Sequence, residues 1–224
     1  MPFVVVDTSV SLPATLSPGG MMRRFWVVLA LGALTYEVEH SQLELDELSQ
    51  RAEREGGVVG GLKEVRDRVE EARNRRAALI ELLPDGTPDD WVAIGSVPLF
   101  DEYERKLREI GQGLDPALRE KDIPPLRRQL EVVCTIGAPP FDRDAVPALT
   151  PDRKDDAILY TALLADADLL ISDDKHLVPD RHEYHWEHEG NTVVSVTFDT
   201  LVSERLDAAN LNEIDGSWLA IAHG

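Results

Sequence analysis

The sequence predicts an α/β protein with a mostly parallel central sheet in a three-layer α/β/α arrangement, plus an inserted helical hairpin. Three observations lead there. Short apolar runs recur along the chain: FVVV at 3–6, WVAIG at 91–95, LLIS at 169–172 and VVSVTF at 193–198. Segments with helical periodicity lie between them, and strands alternating with helices imply a parallel sheet covered on both faces. Acids stand where two of the runs end, Asp7 after FVVV and Asp173 with Asp174 after LLIS.

Taken in order, FVVV is a buried strand, and SLPATLSPGG at 11–20 reads as a loop because it is dense in breakers. Met21 to Leu31 reads as a helix with Gly32 as its C-cap. Ser41 then caps a helix carrying Leu43, Leu45, Leu48 and Ala52 on one face. GGVVGG at 56–61 is a turn. Leu62, Val65, Val69 and Ala72 form the apolar stripe of a second helix running to Leu83, and PDGTPDD at 84–90 is the exit loop. Residues 36–90 are thus a helical hairpin inserted in a single domain spanning 1–224. Its Arg66, Arg68, Arg73, Arg75 and Arg76 alternate with acids, the pattern of a solvated, salt-bridged face.

After WVAIG, Ser96 caps a helix containing FDEYERKLREI, and IPPLRRQLE at 123–131 is a short helix with prolines in its first turn. VVCTI at 132–136 is a candidate strand, followed by a loop over 137–149. Asp155 to Ala165 is helical, LLIS follows as a strand, and VVSVTF precedes a helix from Asp199 to Leu206. His182, His185 and His188 recur at three-residue intervals. On a strand that spacing splits them between two faces, so a hairpin turning at EGN is favoured over a zinc site.

With 224 residues, 43% hydrophobic and 29% charged, the chain has the composition of a globular protein with a real core. Its longest apolar run, Phe25 to Leu34, is far short of the roughly 18 residues a membrane span needs. The N-terminus goes directly into a strand without the pattern of a secretory signal, and Cys134 is the only cysteine; a cytoplasmic protein with no disulfide is expected. The net charge of −19 opposes nucleic acid at long range. Acids clustered around divalent cations nevertheless become attractive to phosphate.

In an open parallel sheet, ligands bind beyond the carboxyl ends of the strands. Asp7, Asp173 and Asp174 lie at that rim, and Asp155 and Asp156 join them if the helix they open crosses back in the usual way. Caps and turns account for single aspartates. Several carboxylates at one rim repel one another, and a hard cation such as Mg2+ or Mn2+ is the common reason to gather them.

These residues resemble the PIN-domain family of metal-dependent ribonucleases, which includes toxins of toxin–antitoxin pairs. VVVDTSV resembles the family's first strand and first acid, Asp7, with Ser9 as its supporting polar residue. SVPLFDEYERKL resembles the helix bearing the second acid, Glu102; SQLELDE at 41–47 has the same spacing and offers Glu47 as a rival. DDAILYTALLADADLLISDDKHL resembles the closing block and points to Asp155 and Asp174 as third and fourth acids. The resemblance implies that Asp7, Glu102, Asp155 and Asp174 bind Mg2+ or Mn2+ and hydrolyse RNA, supported by Ser9, Asp156, Ser172 and Asp173. If the chain is such a toxin, a protein antitoxin would shield the acidic pocket; a homodimer is left open. Two other readings remain: a non-catalytic PIN-like binding module, and a phosphatase of the haloacid-dehalogenase type. The latter's motif wants a second aspartate two residues after Asp7, where this chain has Ser9.

Overall fold

A computed structural model describes residues 1–17, 19–55, 60–113, 118–134 and 136–218. Six strands form one sheet: β1 (Phe3–Val6), β2 (Val92–Gly95), β3 (Ile136–Gly137), β4 (Leu169–Ile171), β5 (Glu183–His188) and β6 (Asn191–Val196). Their order across the sheet is β3-β2-β1-β4-β6-β5, with every neighbouring pair parallel except the β5–β6 hairpin. The helices are α1 (Thr8–Leu16), α2 (Met21–Glu55), α3 (Leu62–Ile80), α4 (Val97–Gly113), α5 (Ile123–Val133), α6 (Asp156–Leu164), α7 (Phe198–Glu204) and α8 (Ala208–Glu213).

The pleat sends alternate strand residues to opposite faces, and two apolar layers follow. Val4, Val6, Leu169 and Ile171 join Phe25, Trp26, Tyr103 and Leu130 on one face. Val5, Ile94 and Leu170 join Ile158, Leu159 and Leu163 of α6 on the other. Residues 3–6 and 169–171 are therefore buried on both sides, which is why they read as unbroken apolar runs. Among the described residues, no helix is long and apolar enough to cross a membrane.

Four local expectations are corrected. The segment read as a loop after Asp7 is helix α1: Asp7 has extended backbone and its carboxylate accepts from the Thr8 and Ser9 backbone N–H groups, an N-cap that starts a helix burying Val10 and Ala14. Gly32 does not end a helix, because α2 runs unbroken for 35 residues. A Cβ at Gly32 would lie 1.8 Å from the Trp91 carbonyl oxygen, so the glycine serves a close approach of helix to chain. Ser41, expected as a cap, is buried in mid-helix. Val132 and Val133 belong to α5 and only Ile136 and Gly137 pair as a strand; Thr135 lies outside the described residues.

The helical hairpin is present as the second half of α2 against α3, joined through residues 56–61, of which 56–59 lie outside the described ones. It leaves the sheet where Tyr36 meets Phe3 edge to face and Gly32 meets Trp91, at the N-terminal ends of β1 and β2. Four of its arginines are engaged locally: Arg68 with Glu44, Arg73 with Gln42, Arg75 with Glu37, and Arg76 with Thr35 and Asp89. The surface hairpin expected around the histidines is β5–β6, turning through Glu189 and Gly190, both at positive φ.

Candidate metal centre

From β1 the chain moves outward to β2 and β3, then returns to lay β4 on the other side of β1. The order reverses between β1 and β4, where connecting loops diverge and leave a crevice at the carboxyl ends of the strands. Asp7 follows β1 there and is buried; its backbone N–H bonds to the Ile171 carbonyl of β4. Its Oδ1 accepts from the Thr8 N–H at 2.6 Å. Its Oδ2 accepts from the Ser9 hydroxyl at 2.6 Å and the Ser172 hydroxyl at 2.7 Å. In turn Ser9 Oγ accepts from the Asp173 N–H at 2.9 Å, and Ser172 Oγ from the Asp174 N–H at 3.0 Å. The two serines tie the ends of β1 and β4 together and fix the Asp7 carboxylate between them.

Asp155, at the start of α6, faces the same crevice. Burial pushes its carboxyl up from the ordinary 3.8 to about 6, and the charges of Asp174, Asp7 and Asp152 push in the same direction. His176 is the compensating neighbour: its Nδ1 lies 3.3 Å from Asp155 Oδ2 and 3.3 Å from Asp174 Oδ1. Asp152, Asp155 and His176 can each offer a ligand atom, and these atoms lie within 4.8 Å of one another. Asp155 Oδ2 and His176 Nδ1 are both buried and neither makes a hydrogen bond. Two desolvated polar atoms left without hydrogen bonds are costly, and a cation between them would satisfy both.

The remaining expected residues are placed differently. Glu102 is buried on α4, and both its oxygens are taken by Arg105, with Arg143 at 3.7 Å. Burial works against its charge, but Arg105, Lys106 and Arg143 hold its carboxyl below the usual range. Glu47 is exposed on α2, 11 residues or about 16 Å beyond Tyr36 on the arm that leaves the opposite edge of the sheet. Asp156 faces away from the crevice: its Oδ1 accepts from the Leu149 and Thr150 N–H groups and the Thr150 hydroxyl, and its Oδ2 from Arg153 at 2.9 Å. It thereby organises the loop that carries Asp152. Asp173 accepts from the Phe198 N–H at 2.9 Å, and burial raises its carboxyl's pKa.

Asp152 and His176 had not been singled out from the sequence. The only available signal was their position, three residues before Asp155 and two after Asp174, which no helix or strand period would bring together. An apolar groove of about 450 Å³, bounded by Pro13, Met22, Phe198 and Val202, is lined by none of the crevice acids.

No family model, no curated protein and no solved structure matches this chain. The site therefore has to be read from its own chemistry. Carboxylates from three separate segments meet beside one imidazole, with two desolvated donor atoms unpartnered. That donor set fits a divalent cation.

Proposed function

We propose that the chain is a PIN-like, three-layer α/β/α metal-dependent ribonuclease. The observation that carries this reading is the convergence of Asp7, Asp155 and Asp174 at the β1–β4 switch point. Their mutual repulsion, together with burial, raises the Asp155 carboxyl, and His176 acts in the opposite direction. A bound Mg2+ or Mn2+ would supply an activated water for attack on a phosphodiester and would offset charge on the phosphate.

The chain's own residues would do the rest. Ser9 and Ser172 hold the Asp7 carboxylate in one orientation, so that its direction does not depend on the ion. Asp155 and Asp174 close the crevice from α6 and β4. Lys154 and Lys175 are exposed next to Asp155 and Asp174 and would offset phosphate charge on a bound nucleic acid. Glu102 enters as the fourth acid through the family resemblance; Arg105 and Arg143 are its positive partners. The same resemblance would give the protein RNA as substrate and, if it is a toxin, an antitoxin shielding the crevice; a cytoplasmic setting and the option of a homodimer complete the proposal.

The test is cleavage of labelled single-stranded RNA with Mn2+, Mg2+ or chelator, beside Asp174→Asn. Cutting is expected with metal, none with chelator, and at least about a hundredfold less with the variant. Failure of the folded wild-type protein to cut in any metal would sink the nuclease reading. The net charge of −19 favours a second reading in that event, a PIN-like module that binds a cationic partner without turnover.

A further inference from the structure

We propose that His176 and Asp152 are direct ligands in this cation centre, and that the imidazole makes it prefer Mn2+ to Mg2+. The inference rests on the cation-binding reading of the crevice and goes beyond its carboxylates, since neither residue belongs to the acid set implied by the resemblance.

The geometry comes first. An octahedral ion with bonds of about 2.1 Å holds neighbouring donors about 3.0 Å apart and opposite donors about 4.2 Å apart. His176 Nδ1 lies 3.3 Å from both Asp155 Oδ2 and Asp174 Oδ1, close to the shorter spacing. The donors of Asp152, Asp155 and His176 stay within 4.8 Å of one another, so small side-chain adjustments bring all of them onto one ion.

A simple His–carboxylate pair does not account for the arrangement. Such a pair would place the N–H on an oxygen, yet Nδ1 and Oδ2 are buried, adjacent and not hydrogen bonded. The backbone also holds His176 in place. Its N–H bonds to Asp174 Oδ1 at 2.8 Å, and the carbonyl of buried Leu177 accepts from Ser195 Oγ at 2.6 Å and Trp186 Nε1 at 2.9 Å. Asp152 is held from the other side: its carbonyl accepts from the Thr150 hydroxyl and the Asp155 N–H, within the loop that Asp156 clamps. The backbone of both residues is thus fixed, that of His176 partly by Asp174 and that of Asp152 by the clamped loop.

The identity of the ion follows from the donors. Carboxylates and water suit Mg2+ and Mn2+ alike, whereas a neutral imidazole adds affinity for first-row transition ions and little for Mg2+, which retains its waters.

The experiment uses the full chain. Mn2+ and Mg2+ binding is measured by calorimetry at pH 7.5 for wild type, His176→Ala, His176→Gln, Asp152→Asn and Asp174→Asn, and electron spin-echo spectra are recorded on the Mn2+-loaded proteins. Wild type is expected to show 14N coupling from a coordinated imidazole, lost in His176→Ala and kept in a control His185→Ala. His176→Ala and His176→Gln should weaken Mn2+ by at least about tenfold while changing Mg2+ by less than about threefold. Asp152→Asn should weaken both ions. Mn2+ bound by wild type without 14N coupling, or an unchanged Mn2+/Mg2+ ratio in His176→Ala, overturns the inference. If Asp174→Asn has meanwhile lost binding and cleavage, the nuclease reading stands. Wild type that takes up neither ion overturns both.

Discussion

Two groups of carboxylates, one along helix α4 and one beyond the ends of β1 and β4, are treated in opposite ways. Along α4, each acid meets an arginine: Glu102 meets Arg105, Glu104 meets both Arg108 and Arg127, and Asp101 meets Arg127. Their charges are balanced within the protein, and Glu102 and Glu104 hold carboxyl pKa values below the usual range. At the β1–β4 rim, burial and the charges of Asp174, Asp7 and Asp152 outweigh His176, and the Asp155 carboxyl rises to about 6. The difference teaches where to look for function. A net charge of −19 says little, because most acids are paired or solvated; a carboxyl that costs stability where it stands is the informative one.

The contrast is steepest at two adjacent residues. Asp155 and Asp156 are neighbours in the chain, but Asp156 belongs in kind with the satisfied acids. Asp156→Ala leaves the Leu149 and Thr150 N–H groups without their acceptor, and an expected loss of about 2–3 kcal/mol should appear in denaturant unfolding. Because the freed loop carries Asp152, cation affinity should fall as well. A fully stable variant would show that the clamp is not what holds the loop.

Much of this was visible in the sequence, and the failures have physical causes. Residues 3–6, 92–95 and 169–171 were legible because strands buried on both faces cannot alternate. The aspartates that follow were legible because a charge directly after a buried strand needs a reason. Helix α1 was not, because Pro13 and the hydroxyl residues look like breakers until Asp7 is known to cap them. Gly32 was misread because its meaning lies in Trp91, a residue distant in sequence. Asp152 and His176 were missed for a similar reason: they reach the crevice from two turns whose geometry is set by Asp156 and by Asp174.

Glu102 sharpens the comparison from the other side, since the resemblance counts it among the metal acids while the structure gives it to Arg105. Glu102→Gln should cost about 1–2 kcal/mol of stability, Glu102 being buried but its Arg105 partner open to water. It should also weaken Mn2+ binding less than Asp174→Asn does. The sign with pH is fixed by the lowered carboxyl: the stabilisation is present above the ordinary carboxylate range and is lost as pH falls through the still lower folded value. A loss of cation affinity equal to that of Asp174→Asn would move Glu102 into the crevice group.

The smallest effect is expected at Asp155, and it has the opposite sign. A carboxyl raised to about 6 from 3.8 holds its proton more tightly when folded, so the metal-free protein gains stability as pH falls through about 6 and loses it as pH rises. Asp155→Asn removes the charge that causes this. In chelator at pH 7.5 the variant should be more stable than wild type by less than about 1 kcal/mol, because water reaching the crevice screens part of the repulsion. The advantage should shrink towards pH 5, where wild-type Asp155 is itself protonated. Adding Mn2+ should reverse the order, raising the melting temperature of wild type and leaving the variant almost unmoved, because a ligand that binds only the folded state stabilises it in proportion to its affinity. Melting curves in chelator and in Mn2+ at both pH values decide the matter. A variant less stable than wild type in chelator at pH 7.5 would mean that the Asp155 charge is satisfied within the protein, and the contrast with α4 would disappear.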